Sequence, residues 1–208
     1  MTEPKGQTRI QLKNRAVIRE AALDVFSTYG FRGSTLDQIA KAAGLSKPNL
    51  LYYYPSKESI HAELLAVLMS TWLDPLEDMD DAGDPQTEIL AYVRRKLQMS
   101  QDYPRESRLW ANEILQGAPN ILNLLENDLR ELVDAKATVI SGWVRAGKIA
   151  PVDPYHLLFS IWSLTQHYAD FEIQIQAVLG DKSDAMFADA ETFLTMLYTN
   201  MLQPLLRS

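Results

Sequence analysis

Helix start and stop signals between residues 30 and 57 constrain the fold more than any other feature of this 208-residue chain. Thr35 and Gln38 have the capping-box spacing, in which a hydroxyl bonds the backbone N–H three residues on and an amide reaches back. Apolar residues then recur at helical spacing, and Gly44 suits the left-handed turn that ends a helix. These residues predict a short helix.

A second short helix follows directly. Ser46 can cap it, and Pro48 lies in its first turn, where a missing N–H costs nothing. Pro55 disfavours helix at Tyr54 and so ends the helix after two turns. Two short helices that are tightly joined form a helix-turn-helix, whose second helix is suited to a DNA major groove.

The alternative interpretation is a pair of ordinary helices in an all-α core. A buried pair would not need the polar and aromatic side chains outside its apolar stripe, which are types that bond phosphates and base edges. We therefore predict a double-stranded DNA interface formed by Lys47, Pro48, Asn49, Tyr52, Tyr53 and Lys57, with Thr35 at the cap of the crossing helix.

The charge distribution agrees with DNA binding at one end of the chain. The net charge is −7 overall, but residues 1–60 carry a net +4 and the remaining residues a net −11. A basic N-terminal segment followed by an acidic remainder is the charge pattern of a protein that binds DNA with one part only.

Composition excludes several other classes. The chain has no Cys and only three His, so we expect neither disulfides nor a metal site, and a reducing cytoplasm is compatible. No uncharged run reaches the length of about 20 residues that a membrane span needs. The N-terminus lacks an apolar h-region, so we expect no secretory signal. No nucleophile elbow or phosphate-binding Gly loop is present, so we expect a cytoplasmic protein that is not an enzyme and has no cofactor.

The remaining sequence predicts an all-α fold of about nine helices. Residues 1–12 are polar and are expected to form a loose arm, and Asp74-Pro75 is expected to begin to break helix 4. Helix 8 is expected from Asp153-Pro154 to Gly180, and helix 9 from about Asp184 to Leu202. His61 and His156 are expected at solvated helix starts.

The helix-turn-helix segment resembles the N-terminal motif of the TetR family of one-component regulators. The matching residues are Phe26, Gly30, Thr35, Ile39-Ala40, Ala43-Gly44, Tyr53-Tyr54 and Lys57. The family commonly has Tyr where this chain has Leu51, so a usual phosphate contact would pass to Tyr52 or Tyr53. The resemblance implies a DNA-binding domain over residues 1–57 and a ligand-binding and dimerisation domain over residues 58–208.

One pair of residues in helix 8 points to a ligand. Trp162 and Gln166 are four residues apart and so share a helix face, which is otherwise apolar. Gln166 is therefore expected to point inward, where its carboxamide needs partners for both a donor and an acceptor. Each of the four Trp, taken singly, is more often part of a core than a ligand wall.

Nearly the whole chain resembles the pyrimidine-utilisation repressors within the TetR family, which sense uracil and thymine. The segments that carry this resemblance are STWLDPL, RLWANEILQGAP and ISGWVRAGKIAPVDPYHLLFSIWSLTQHYADF. The resemblance implies a ligand site lined by Trp72, Trp162 and Gln166. Uracil fits this chemistry, because one carboxamide can meet its adjacent C=O and N–H while indoles cover the ring faces.

Helices 8 and 9 carry more apolar residues than one inward face requires, which predicts a homodimer through a four-helix interface. The sequence thus predicts a homodimeric repressor that responds to a pyrimidine. The alternatives are a TetR repressor of efflux or catabolic genes with another aromatic or hydrophobic effector, an architectural DNA-binding protein, and an enzyme with a DNA-binding head.

Overall fold

The structure, a computed structural model, describes residues 9–204. In chain order its helices are α1 (Arg9–Gly33), α2 (Leu36–Ala42), α3 (Lys47–Tyr53), α4 (Lys57–Glu77), α5 (Pro85–Asp102), α6 (Pro104–Leu115), α7 (Leu122–Leu124 and Arg130–Arg145, joined by a π-helical turn at Leu125–Leu129), α8 (Pro154–Asp170), α9 (Glu172–Leu179) and α10 (Met186–Leu202). No strand occurs in these residues. The all-α class with about nine helices is confirmed.

The described residues form two compact units. The first contains residues 9–69 and Arg108–Ile121, and the second contains Ser70–Ser107 and residues 122–204. The predicted boundary between functional domains at residues 57 and 58 stays a prediction.

The first unit contains the helix-turn-helix, and its local signals act as predicted. The Thr35 hydroxyl accepts a hydrogen bond from the backbone N–H of Gln38 at 3.2 Å, and the Gln38 side chain accepts one from the N–H of Thr35 at 2.8 Å. Gly44 has a φ of 67°, and the Ser46 hydroxyl caps α3. Helix α2 therefore starts and ends where its capping residues require, and α1 packs against both short helices.

The second unit is organised around α5, which packs between α8 and α10, while α7 packs against α8. Its hydrophobic core includes Ile89 and Val93 of α5, Ile161 of α8, and Leu194 of α10, each at most 1% exposed. An amphipathic α5 with this buried stripe follows from apolar residues at helical spacing.

Three predicted boundaries are wrong. Residues 9–12, expected in a loose arm, lie in α1, while residues 1–8 of that arm lie outside the described residues. Helix α4 continues through Pro75 to Glu77, because the burial of Leu76 outweighs the lost backbone hydrogen bond. The predicted helix 8 is interrupted at Phe171, whose backbone leaves the helical region although no Gly or Pro marks the break.

The prediction that His61 is solvated is also wrong. Its side chain is 2% exposed and its ring contacts the rings of Phe26 and Phe31, with centroids 5.1 and 4.6 Å away. Burial lowers the pKa of His61 below its ordinary value. The inward face of α4 therefore includes His61 as well as its apolar neighbours.

The described part of the chain has neither a candidate membrane span nor a candidate metal site. None of its helices is both long and apolar enough to cross a membrane. Residues 9–204 also contain no group of three or more His, Asp or Glu placed to hold a metal ion.

We expect Gly30→Ala to destabilise the first unit, because Gly30 has φ 68° and ψ 167° within α1, a conformation that is nearly restricted to glycine. A methyl group there would meet no atom within 4 Å, so the cost is conformational, about 1–3 kcal/mol in the free energy of unfolding. Denaturant unfolding measures it. The matched control is Gly33→Ala, whose added carbon would make an ordinary 3.6 Å contact with Tyr29 and should not destabilise the protein. Equal stability of the two variants would contradict this account.

Candidate nucleic-acid interface and effector site

Helix α3 presents one polar face to solvent and buries the opposite one. Leu50 is 0% exposed and anchors α3 in the core of the first unit. The side chains of Lys47, Pro48, Asn49 and Tyr52 are exposed, and Tyr53 is half-buried. The structure therefore brings five of the predicted DNA-binding residues together on or beside the accessible face of one short helix.

The two tyrosines at the end of α3 are held by the start of α1. Asn14 donates to the Tyr53 hydroxyl at 2.6 Å, and Gln11 donates to the Tyr52 hydroxyl at 3.2 Å. The two rings pack edge to face with their centroids 5.0 Å apart. Side chains of α1 therefore orient both hydroxyl groups before any DNA is bound.

A carboxylate on α4 ties α1 to the end of α3. Glu63 pairs with Arg15, accepts from Arg19 at 3.0 Å, and accepts from the Tyr54 hydroxyl at 3.0 Å. Burial alone would raise the pKa of Glu63, but the hydrogen bonds from Tyr54 and Arg15 outweigh it and leave the pKa below its ordinary value. The same burial and the adjacent carboxylate raise the pKa of Tyr54 to about 12. Sequence reasoning missed this cluster, because its members are separated along the chain.

Besides the two tyrosines, three further predicted DNA-binding residues have structural partners within the first unit. Lys57 donates to the carbonyl oxygens of Phe31 at 2.7 Å and Ser34 at 2.9 Å. The Thr35 hydroxyl takes part in the cap of α2, and Lys47 forms an exposed ion pair of 2.8 Å with Asp37. Contacts of these residues with DNA stay predictions, and Lys57 also fixes the end of α1 against α4.

In the second unit, Trp72 of α4 and Trp162 of α8 each contact a polar side chain of α5. The ammonium of Lys96 lies 4.4 Å from the centroid of the Trp72 ring. Tyr92 precedes Lys96 by one helical turn, and its hydroxyl accepts a hydrogen bond from the indole N–H of Trp162 at 2.7 Å. Trp72, Tyr92 and Lys96 are 6%, 3% and 4% exposed. The two predicted ligand-binding tryptophans thus contact two buried polar groups that lie one helical turn apart on α5.

Gln166 lies one turn beyond Trp162 and is half-buried, so the inward direction expected for its carboxamide stays a prediction. Both side chains line a surface cavity of about 490 Å³, together with Phe159, Ser163, His167, Asp170 and Phe171. Trp72 does not line this cavity. The structure therefore brings Trp162 and Gln166 to one cavity and relates Trp72 to them through Lys96 and Tyr92.

Sequence reasoning missed Lys96 and Tyr92. Burial lowers the pKa of Lys96 to about 8 and raises the pKa of Tyr92 well above its ordinary value. A signal was present, because Lys96 falls at helical spacing among the apolar residues of α5, where a buried charge is rare. A charged residue within an apolar stripe is a candidate functional group.

Comparison with known proteins agrees with the geometry. Residues 18–64 match the family model described as bacterial regulatory proteins, tetR family, and residues 65–205 match the model described as YcdC-like protein, C-terminal region. The chain is 48% identical over 179 residues to the HTH-type transcriptional regulator RutR of Escherichia coli K12. The aligned region covers 86% of this chain and 84% of that protein.

Solved structures show the same fold. A putative transcriptional regulator from Streptomyces coelicolor has a TM-score of 0.70 at 23% identity, covering 92% of this chain and 99% of that one. GusR of Salmonella enterica has a TM-score of 0.64 at 19% identity, covering 97% of this chain and 98% of that one. At these identities the likeness shows the fold alone.

We expect the stability of the protein to depend on pH through Lys96. Because folding lowers the pKa of Lys96 from 10.5 to about 8, the unfolded chain binds the extra proton between these values, and stability rises with pH across this window. Relative to Lys96→Met, the free energy of unfolding of the unaltered protein should rise by on the order of 3 kcal/mol between pH 8 and 10.5. Denaturant titrations of both proteins at several pH values measure this difference. A difference that stays constant with pH would contradict the burial of this charge.

Proposed function

The chain belongs to the TetR family of bacterial transcriptional regulators, and we propose that it is a repressor whose binding to operator DNA is controlled by uracil or thymine. The observation that carries the effector proposal is the pairing of Trp162 with Gln166 on one face of α8, at a cavity of about 490 Å³. The chain's 48% identity with RutR extends through the C-terminal region that holds these residues, which supports a shared effector class.

The DNA-binding part of the proposal rests on α3. Its accessible face carries a cation, an amide and a phenol, which are the donors and acceptors that bind phosphates and base edges. Asn49 is exposed near the start of the helix, where recognition helices contact bases. Tyr52 and Tyr53 have oriented hydroxyls, which suits contacts to backbone phosphates.

The proposal that the effector is a pyrimidine rests on the side chains of Gln166 and Trp162 in the second unit. A carboxamide can donate to a ring carbonyl oxygen and accept from the adjacent ring N–H, and a uracil ring offers both groups side by side. The indole of Trp162 supplies a flat apolar surface whose orientation is fixed by its hydrogen bond to Tyr92. We assign Trp72 to the same site as a second aromatic surface.

Helix α4 offers a route for coupling the two functions. It carries Lys57 and Glu63, which hold the DNA-binding helices, and it carries Trp72. A ligand that favours one position of α4 changes the affinity for DNA, and a coupling free energy of about 1–3 kcal/mol changes that affinity 5- to 150-fold.

We further propose a cytoplasmic homodimer that is not an enzyme. Large apolar side chains remain exposed on α8, α9 and α10, with Ile173 84%, Val178 80% and Met196 55% exposed. A two-fold contact would cover them and would place two recognition helices on an operator with matching half-sites.

We expect Asn49→Ala to relax base preference and Lys47→Ala to weaken binding evenly across sequences. Because Lys47→Ala removes one phosphate contact, the slope of log K against log salt concentration should also fall by about one unit. Binding to a selected operator and to single-base variants of it, at several salt concentrations, separates the two effects. Lys148→Ala, which removes an exposed lysine from the other unit, is the control and should leave affinity unchanged. Wild-type behaviour of both α3 variants would show that α3 does not bind the operator.

We expect Gln166→Leu to weaken uracil binding at least tenfold, because it keeps roughly the volume of the side chain but leaves polar groups of the ligand unpaired, at about 1–3 kcal/mol each. Isothermal titration calorimetry on both proteins measures this. Gln98→Leu removes an exposed glutamine from α5 and should not change the affinity.

The calorimetry also distinguishes the effector classes. Unaltered protein that releases no heat with uracil or thymine would remove the pyrimidine proposal and leave a TetR repressor of efflux or catabolic genes with another aromatic or hydrophobic effector. Equal affinity of the Gln166→Leu variant and the unaltered protein would remove only the assigned role of Gln166.

A further inference from the structure

Two lysines are buried in the second unit, and their ammonium groups have different surroundings. Lys136 of α7 is 9% exposed, and its ammonium donates to the carbonyl oxygen of Met79 at 2.8 Å and to the carboxylate of Asp81 at 3.0 Å. This is how a protein accommodates a buried ammonium that serves structure, because both acceptors offset the loss of hydration.

Lys96 has no such arrangement. It is more deeply buried than Lys136, at 4% exposed, yet within residues 9–204 its ammonium has neither a carboxylate partner nor a hydrogen-bond acceptor. The ammonium lies 4.4 Å from the centroid of the Trp72 ring. A cation–π contact attracts the charge but supplies no acceptor for its N–H groups, so the donors of Lys96 remain available.

A second buried donor lies one turn away. The Tyr92 hydroxyl accepts the indole N–H of Trp162, and this leaves its own O–H without an acceptor among the described residues. Because Tyr92 and Lys96 are four residues apart on α5, they share one helix face. A buried surface with donors only is complementary to an oxygen that accepts hydrogen bonds.

We propose that Lys96, with Tyr92 beside it, binds an exocyclic oxygen of the effector. This inference rests on the proposed function and adds a specificity-determining group to it. Gln166 recognises an adjacent C=O and N–H of the ring, whereas the ammonium of Lys96 and the remaining O–H of Tyr92 donate and therefore require a carbonyl oxygen or oxyanion. The site selects planar rings with a carbonyl oxygen at this position and discriminates against rings that carry a sulfur or an amino group there.

The test is calorimetry with uracil, 2-thiouracil and 4-thiouracil on the full-length protein. Lys96→Met keeps the length of the side chain but removes the donor, and it should weaken uracil binding about 10- to 100-fold, the range for a lost charged hydrogen bond. Tyr92→Phe should weaken it about 2- to 10-fold. In the unaltered protein, the thio compound whose sulfur replaces the oxygen bound by Lys96 should bind more weakly than uracil, because sulfur is the poorer acceptor. In Lys96→Met, this compound and uracil should bind with equal affinity.

The matched control is Lys136→Met, the same substitution at the paired lysine. It should lower the melting temperature and leave the uracil affinity of the folded protein unchanged, whereas Lys96→Met should remain at least as stable as the unaltered protein. Uracil binding that is equal in Lys96→Met and the unaltered protein overturns this inference while the proposed function stands. No uracil binding by the unaltered protein overturns both.

Discussion

The burial of one face of α5 between α8 and α10 is the interaction on which the second unit depends. Ile89 and Val93 of this face are at most 1% exposed and join the core with residues of both neighbouring helices. At about 25 cal/mol per Å² of apolar surface, such a face is the main source of stability for the unit. The same face carries Tyr92 and Lys96, so the packing that stabilises the unit also removes these polar groups from water.

The surroundings of a charged side chain differ between the two units. In the first unit, the carboxylate of Glu63 is surrounded by donors from Arg15, Arg19 and Tyr54, so its negative charge is stabilised and the end of α3 is fixed. In the second unit, the ammonium of Lys96 lies on the face of the Trp72 ring, and among residues 9–204 it has no hydrogen-bond acceptor. A fully satisfied network holds one conformation, whereas an unsatisfied donor favours any state that provides an acceptor. The first arrangement suits a DNA-binding surface that must be rigid, and the second suits a site that must respond to a ligand.

The sequence predicted those features that local chemistry determines. Thr35, Gly44 and Ser46 act through backbone groups within a few residues, so the bounds of α2 and α3 follow from them directly. Helix α4 continues through Pro75 with Leu76 fully buried, and the backbone leaves the helical region at Phe171 without a Gly or Pro, so the local signals in the sequence did not give either boundary. The burial of His61 depends in the same way on Phe26 and Phe31 of another helix. Trp162 and Gln166 were recognisable as a pair because their spacing alone places them on one face.

Lys96 shows why the remainder of the site was harder to predict. Its position among apolar residues was visible, but only the structure shows that Lys136 has two acceptors while Lys96 has none in the described chain. An unpaired buried ammonium lowers stability, and proteins retain such a cost chiefly at functional sites. A ligand oxygen that accepts from Lys96 removes part of this cost, so ligand binding and the stability of the second unit are thermodynamically linked. In the mechanism proposed above, the group that weakens the free protein is the group through which an effector gains its differential affinity for one state of the fold.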